Sequence, residues 1–279
     1  MTTAPHPIAD SNSKTLLTVL ESAALEAGRV IIKHYTDGCA VHSKKDQSPV
    51  TEADQAAEAI ILAALASIAS DIPVVAEEEA AAGRLPAQLG RHFFLIDPLD
   101  GTREFLLRNG DFTVNIALIE DGAPVLGLVY APVRNLLYVG SREGAQEVTT
   151  SADHQIISRR PIAARIAPDE KTVVCSRSHL TLETEEFLKL NHSGKCVSVG
   201  SSLKFCMIAR GDADLYPRFG PTMEWDTAAG DAVLRAAGGM TTTFDGKPMI
   251  YGARSDGSVR GFANPDFVAF GAGEAPVFN

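Results

Sequence analysis

Apolar residues recur three and four positions apart through "SNSKTLLTVLESAALEAGRVIIKHYTDG", the spacing of one buried helix face. Ser11 and Ser13 are capping candidates at its start and Gly38 closes it. The polar stretch "SKKDQSPV" separates this helix from "TEADQAAEAIILAALASIAS". There, Thr51 followed three residues later by Asp54 has the form of a capping box. The second helix is expected to run to about Ser70.

Beyond it the period shortens. "IPVVAEEE" reads as a short buried strand ending in three glutamates, and "RHFFLIDPLDGT" as another ending in an aspartate pair. "DFTVNIALIEDGAPVLGLVYAPVRNLLYVGS" alternates β-formers with turn signals such as Asp121-Gly122, which predicts an antiparallel meander. A polar join is expected near residues 150 to 170. After it, "KTVVCSRSHL", "KCVSVGSS", "DADLYPRFG" and "GMTTTFDG" read as short strands. They are interleaved with helical "TLETEEFLKL", "SLKFCMIARG" and "WDTAAGDAVLRAAGG". The expected class is α/β, with an α+β N-terminal half over residues 1–155 and an α/β C-terminal half over 156–279. No internal repeat or low-complexity linker interrupts it.

Composition narrows the partners. At 279 residues and 45% hydrophobic, the chain fills a substantial core. A formal charge of -10, with no block of Lys and Arg, argues against a nucleic-acid polymer or a membrane surface as partner. An anionic ligand would need locally placed cations. Cys39, Cys175, Cys196 and Cys206 form no C-x-x-C pair and no zinc spacing, and read as thiols of a reducing compartment. "MTTAPHPIADSNSK" lacks a basic start followed by an apolar h-region, and "IILAALASIA" is too short to span a bilayer. A cytoplasmic protein is expected, compatible with peripheral association with the inner membrane.

The candidate chemistry lies in the acids. Asp97 ends an apolar strand, Pro98 fixes φ, and the chain turns so that Asp100 comes back toward Asp97. Two carboxylates so close repel unless a proton or cation sits between them, although the same residues also make ordinary turns. Further acids follow strands or open helices: Glu77, Glu78 and Glu79, and Asp226 in "EWDTAAGDAVL". Oxygen ligands in such numbers suit Mg²⁺. In the run of three, Glu77 is the expected ligand, Glu78 its supporting neighbour and Glu79 a surface residue, with a register open by one. Asp226 would also suit a helix N-terminus for its dipole alone. Gly101 and Thr102 offer N–H groups to an anion. An aspartyl nucleophile in a D-x-D-G-T element is a poorer match, because D-P-L-D-G-T carries an extra residue.

"VVAEEE", "DPLDGT" and "WDTAAGDAVL", in that order, resemble the lithium-sensitive, magnesium-dependent phosphatases that include inositol monophosphatase and fructose-1,6-bisphosphatase. Within that family the chain is most similar to the 3'(2'),5'-bisphosphate nucleotidase branch. "DQSPVTEAD", "SRSH" and "GSSLKFCMIARGDADLYPRFGPTMEWDTAAGDAVLRAAGG" carry that likeness, which runs from about residue 15 to 265. The resemblance implies a layered αβαβα sandwich with the site between its halves. It implies two to three Mg²⁺ ions: one on Glu77, Asp97 and the Leu99 carbonyl, a second on Asp97, Asp100 and Asp226, and a third, weaker, near Glu77. Thr102 and Asp54 would orient and deprotonate the attacking water. Gly101, Thr102, Ser176, Arg177, His179, Gly200, Ser201, Lys204 and Arg218 would contact substrate.

The activity implied is hydrolysis of the 3'-phosphate of adenosine 3',5'-bisphosphate to AMP and phosphate, by in-line displacement without a covalent intermediate. The sulfated nucleotide PAPS is a second candidate substrate, and a link to sulfate assimilation and inhibition by lithium are part of the same implication. An inositol or sugar phosphate is the alternative substrate. A non-catalytic nucleotide sensor is disfavoured, since Asp54 and Thr102 would have no reason to accompany the metal acids.

Overall fold

The computed structural model describes residues 10–43, 49–175, 182–252 and 258–277. Ser176, Arg177 and His179, expected to contact substrate, and the loop from Lys44 to Ser48 lie outside the described residues.

Two helices form the first layer. α1 (Asp10–Asp37) and α2 (Glu52–Ile68) pack side by side. Leu16, Leu20, Ala24 and Ile31 of α1 and Ala53, Ala57, Ile61 and Leu65 of α2 face a common core. Burying each Leu or Ile there contributes about 1.5–3 kcal/mol. The predicted capping box is present at α2: Thr51 Oγ1 accepts from Ala53 N, and the Asp54 carboxylate accepts the Thr51 N–H. Part of the polar connector pairs as an antiparallel hairpin, β1 (Val41–Ser43) with β2 (Pro49–Thr51).

The helices cover a seven-stranded sheet. Its strands are β3 (Val74–Ala76), β4 (His92–Asp100), β5 (Thr113–Glu120), β6 (Ala123–Ala131), β7 (Leu136–Ser141), β8 (Gly144–Thr150) and β9 (Ile156–Ile162), in that spatial order. Only β3 and β4 run parallel. Short helices follow the two acid-bearing strands, α3 (Glu77–Ala81) after β3 and α4 (Thr102–Leu106) after β4. The meander is therefore longer than the sequence pattern suggests. β9 lies where the sequence pattern predicts a polar join, because this edge strand is solvated along almost all of its length and no alternation betrays it.

The second sheet is built from β10 (Lys171–Cys175), β11 (Ser193–Ser198), β12 (Leu215–Arg218), β13 (Met240–Thr243) and β14 (Phe267–Phe270), ordered β11-β10-β12-β14-β13. It is mixed: β10 is parallel to β11 and β12, whereas β14 is antiparallel to β12 and β13. The four-residue β14, wholly buried, was not anticipated, since so short an apolar run has no readable period. The changeover between sheets falls in residues 163–170, somewhat beyond the division expected at 155.

Between the sheets lie α6 (Leu203–Ala209) and α7 (Glu224–Ala236), and α5 (Leu182–Leu190) covers the outer face of the second sheet. The layers run helices, sheet, helices, sheet, helix, the αβαβα sandwich. α7 sits unusually close to the first sheet. A Cβ at Gly140 would stand 2.4 Å from Val233 Cα, and one at Gly127 would stand 2.4 Å from the Ala229 carbonyl oxygen. Glycine at both positions lets the helix approach, and α7 carries Asp226.

Candidate active site

Asp97 and Asp100 are three positions apart, so in an uninterrupted strand they would face opposite sides of the sheet. In the ladder, Asp97 pairs with Asn115 and Asp100 with Thr113, three steps on β4 against two on β5. The extra residue forms a β-bulge, which returns Asp100 to the side of Asp97. Pro98 occupies the bulge, where a missing N–H costs the ladder least. Leu99 N donates to Asp97 Oδ1 at 3.0 Å. Gly101 then turns the chain with φ 93°, a left-handed conformation open to glycine at no steric cost.

Four acids meet around this bulge. Asp97 is 2% exposed. Burial first, then the charges of Glu77, Asp100 and Asp226, hold its carboxyl well above the ordinary range, and it shares a hydrogen bond with Glu77. Asp226, in the first turn of α7, accepts the Met223 N–H at 2.8 Å. Burial and the charges of Asp100 and Glu77 push its carboxyl up as well. Glu77 opens α3 instead of ending β3, and Glu79 forms a bidentate pair with Arg84. Among the described residues, no three His, Cys, Asp or Glu side chains close into a ready ligand cluster. The relation among the acids is repulsion across a shared space. That condition fits a divalent cation, since carboxylates that raise one another's pKa are those an added positive charge relieves.

Beside them lies a second pair. Thr102 Oγ1 is 3.2 Å from Asp54 Oδ1 and 3.4 Å from the Leu99 carbonyl oxygen. Asp54, 2% exposed, accepts the N–H and hydroxyl of Thr51 on its other oxygen, at 2.8 and 2.6 Å. Capping the helix and meeting Thr102 are thus done by different oxygens of one carboxylate.

The second half closes over the acids through residues 199–202. Asp100 Oδ2 accepts the Ser201 hydroxyl at 2.7 Å, the Ser202 N–H at 2.8 Å and the Asn115 amide at 3.4 Å. Gly200 N donates to Asp111 Oδ2 at 3.2 Å, and Arg134 holds the other Asp111 oxygen. A Cβ at Gly200 would meet the Asp111 backbone oxygen at 2.8 Å. Lys204 is 5% exposed, and its ammonium donates to the carbonyls of Ser201 and Val199. It braces the loop from within. Arg218 is 9% exposed; its Nη2 donates to the Pro221 carbonyl and its Nε finds no hydrogen-bond partner among the described residues. Its charge reaches Asp226, Tyr216 and Lys204.

Three contributors escaped the sequence reading. Asn115 and Thr113 are polar positions in a strand buried along all but its last residue, and that mismatch is the available signal. Glu58, buried on α2, accepts the N–H groups of Glu78 and Glu79 at 2.8 and 3.0 Å. Burial pushes its carboxyl up to about 7, against the pull of the Glu78 amide. Nothing local in the sequence announces a partner 20 residues away.

The model of the inositol monophosphatase family matches residues 12–261. A 3'(2'),5'-bisphosphate nucleotidase CysQ of Shigella flexneri is 45% identical over 248 residues, 88% of this chain and 95% of the relative. A protein of the same description from Buchnera aphidicola subsp. Acyrthosiphon pisum is 40% identical over 258 residues, 92% of this chain and 94% of its own. The crystal structure of CysQ from Bacteroides thetaiotaomicron superposes with a TM-score of 0.74 at 36% identity, covering 92% of this chain and 97% of that one.

Proposed function

The chain belongs to the inositol monophosphatase family, and we propose that it hydrolyses the 3'-phosphate of adenosine 3',5'-bisphosphate to AMP and phosphate with Mg²⁺. It is a phosphatase, and its extended similarity to nucleotidases over 88% of its length places it with the 3'(2'),5'-bisphosphate nucleotidases. The carrying observation is Asp97, buried at a bulge and repelled by Glu77, Asp100 and Asp226, with the Asp54–Thr102 pair alongside.

Glu77, Asp97, Asp100, Asp226 and the Leu99 carbonyl would hold two to three Mg²⁺ ions. When bound, Mg²⁺ supplies positive charge that acidifies water and offsets the charge of phosphoryl oxygens. The protein's own part is orientation. Asp54 Oδ1 takes the Thr102 hydroxyl proton in a hydrogen bond, leaving the Thr102 oxygen to accept from the attacking water and Asp54 to receive the proton relayed. Thr51 keeps Asp54 in place through its other oxygen.

An acidic chain with an anionic substrate needs local cations. Arg218 supports that role because its Nε is buried without a hydrogen-bond partner among the described residues, and a ligand phosphate would supply one. Ser176, Arg177 and His179, with Gly101, Gly200 and Ser201, complete the proposed substrate contacts. Lys204 contributes its charge from behind the loop. PAPS as a second substrate, a place in sulfate assimilation, lithium sensitivity and a cytoplasmic location are parts of the same proposal. Among the described residues no helix is long and apolar enough to cross a membrane.

Phosphate release with Mg²⁺ from adenosine 3',5'-bisphosphate and from inositol 1-phosphate tests this reading. The nucleotide is expected to be the better substrate. Arg218→Ala should raise its KM about tenfold, the loss of one charge-assisted hydrogen bond, and leave inositol 1-phosphate turnover near its original rate. Cleavage of inositol 1-phosphate with the nucleotide untouched would overturn the assignment.

A further inference from the structure

Glu58 and Asp54 are four residues apart on α2 and share one face of the helix. Asp54 reaches Thr102. Glu58, 4% exposed, reaches α3, with Oε2 on the Glu78 N–H at 2.8 Å and Oε1 on the Glu79 N–H at 3.0 Å. These are first-turn amides of the short helix that Glu77 opens, and its N-cap residue, Ala76, offers no side-chain acceptor. A helix leaves its first four N–H groups without internal partners. A carboxylate from another helix fills that role here.

A Ser, Thr or Asn at position 76 would cap α3 locally. The arrangement found is electrostatically costlier, because Glu58 adds a fourth carboxylate beside Glu77, Glu78 and Glu79 and meets repulsion from two of them. What it gains is a tie between α3 and the helix that carries Asp54. Both carboxylates lie on one rigid face, so a single helix sets where Asp54 meets Thr102 and where the Glu77 turn begins.

We propose that Glu58 is a positioning residue for metal binding: its clamp on the Glu78 and Glu79 amides fixes the turn from which Glu77 reaches Asp97, in register with Asp54. The inference rests on the reading of Glu77 as a metal ligand. Because the clamp is made of protein groups alone, it lowers the cost of assembling the acids around a cation.

Mn²⁺ binding to chelator-stripped protein, followed by electron paramagnetic resonance, tests it. Glu58→Gln keeps the shape but turns an NH₂ group toward an amide donor. It should weaken Mn²⁺ binding about tenfold or more, with KM for the nucleotide at saturating metal unchanged. Ile61→Val, in the core one turn further along α2, should lower Tm without moving Mn²⁺ affinity. Wild-type affinity in Glu58→Gln, or an equal loss in Ile61→Val, overturns the proposal. Absence of Mn²⁺ binding in the wild-type chain instead sinks the reading of the acids as a metal site, and the proposal with it. Should Glu58→Gln fail to fold, hydrogen exchange on metal-free wild-type protein decides. Protected amides at 78 and 79 before metal is added are expected, and free exchange there overturns the clamp.

Discussion

The ammonium of Lys204 lies 2.7 Å from the carbonyl oxygen of Ser201, a residue held in the left-handed region at φ 58°. The same ammonium is 3.4 Å from the Val199 carbonyl oxygen and 5.0 Å from the centre of the Tyr216 ring. Carbonyl oxygens and an aromatic face thus stand in for water around a buried cation, and they pin the loop whose hydroxyl donates to Asp100.

This burial has a pH signature. It lowers the Lys204 pKa to about 8 from 10.5, with Asp100 opposing the shift. Below about pH 8 the lysine is charged in both states and the fold carries the full cost. Above it the unfolded chain binds more protons, so stability rises until the unfolded lysine also loses its proton. In urea unfolding of metal-free protein, the stability of wild type minus that of Lys204→Met should therefore rise by about 2 kcal/mol between about pH 8 and about pH 10. A flat difference would sink the claim.

Asp97→Asn should separate stability from activity. The Asp97 carboxyl is raised by burial and by Glu77, Asp100 and Asp226, so wild type loses stability as pH climbs from the ordinary carboxylate range through the folded value. Asparagine keeps an oxygen for the Leu99 N–H and carries no charge. In chelator at pH 8 the variant should melt roughly 3 °C or more above wild type, given about 2–4 °C per kcal/mol in a chain of this size. It should release no phosphate, and Mg²⁺ should raise the Tm of wild type alone. A variant that melts lower in chelator would contradict the repulsion described.

Gly140→Ala probes the seat of α7. The added methyl would meet Val233 Cα at 2.4 Å and the Ala232 carbonyl oxygen at 2.6 Å, both backbone atoms. Relief requires the helix to lift from the sheet. A loss of about 1–3 kcal/mol follows, together with a lower kcat, because Asp226 rides on that helix. Thermal melts and turnover on the same sample check both, and unchanged kcat would mean that the helix start does not move.

Much of this molecule is readable along the chain, and the rest fails for physical reasons. α1, α2 and α7 announce themselves by helical spacing, and Thr51 with Asp54 marks the start of α2 as the structure has it. The strings that hold Asp97, Asp100, Glu77 and Asp226 stand out because carboxylates beside apolar runs need an explanation. β9 and β14 do not stand out, one being solvated and the other too short. The grip of Glu58 on the Glu78 amide and the contact of Ser201 with Asp100, 101 residues distant, are products of packing. Lys204 shows the limit most clearly: its position near the acids is suggested by its string, while the inward turn of its ammonium depends on carbonyl oxygens that no pattern displays.

The bulge in β4 bears on how this segment is able to vary through time. Because Asp100 regains the face of Asp97 only by one surplus residue, an insertion or deletion of a single codon there would swing one acid to the wrong side, however conservative its neighbours. Leu99 can change identity and still lend a backbone oxygen. The stretch is thus permissive in spelling at that point and rigid in length.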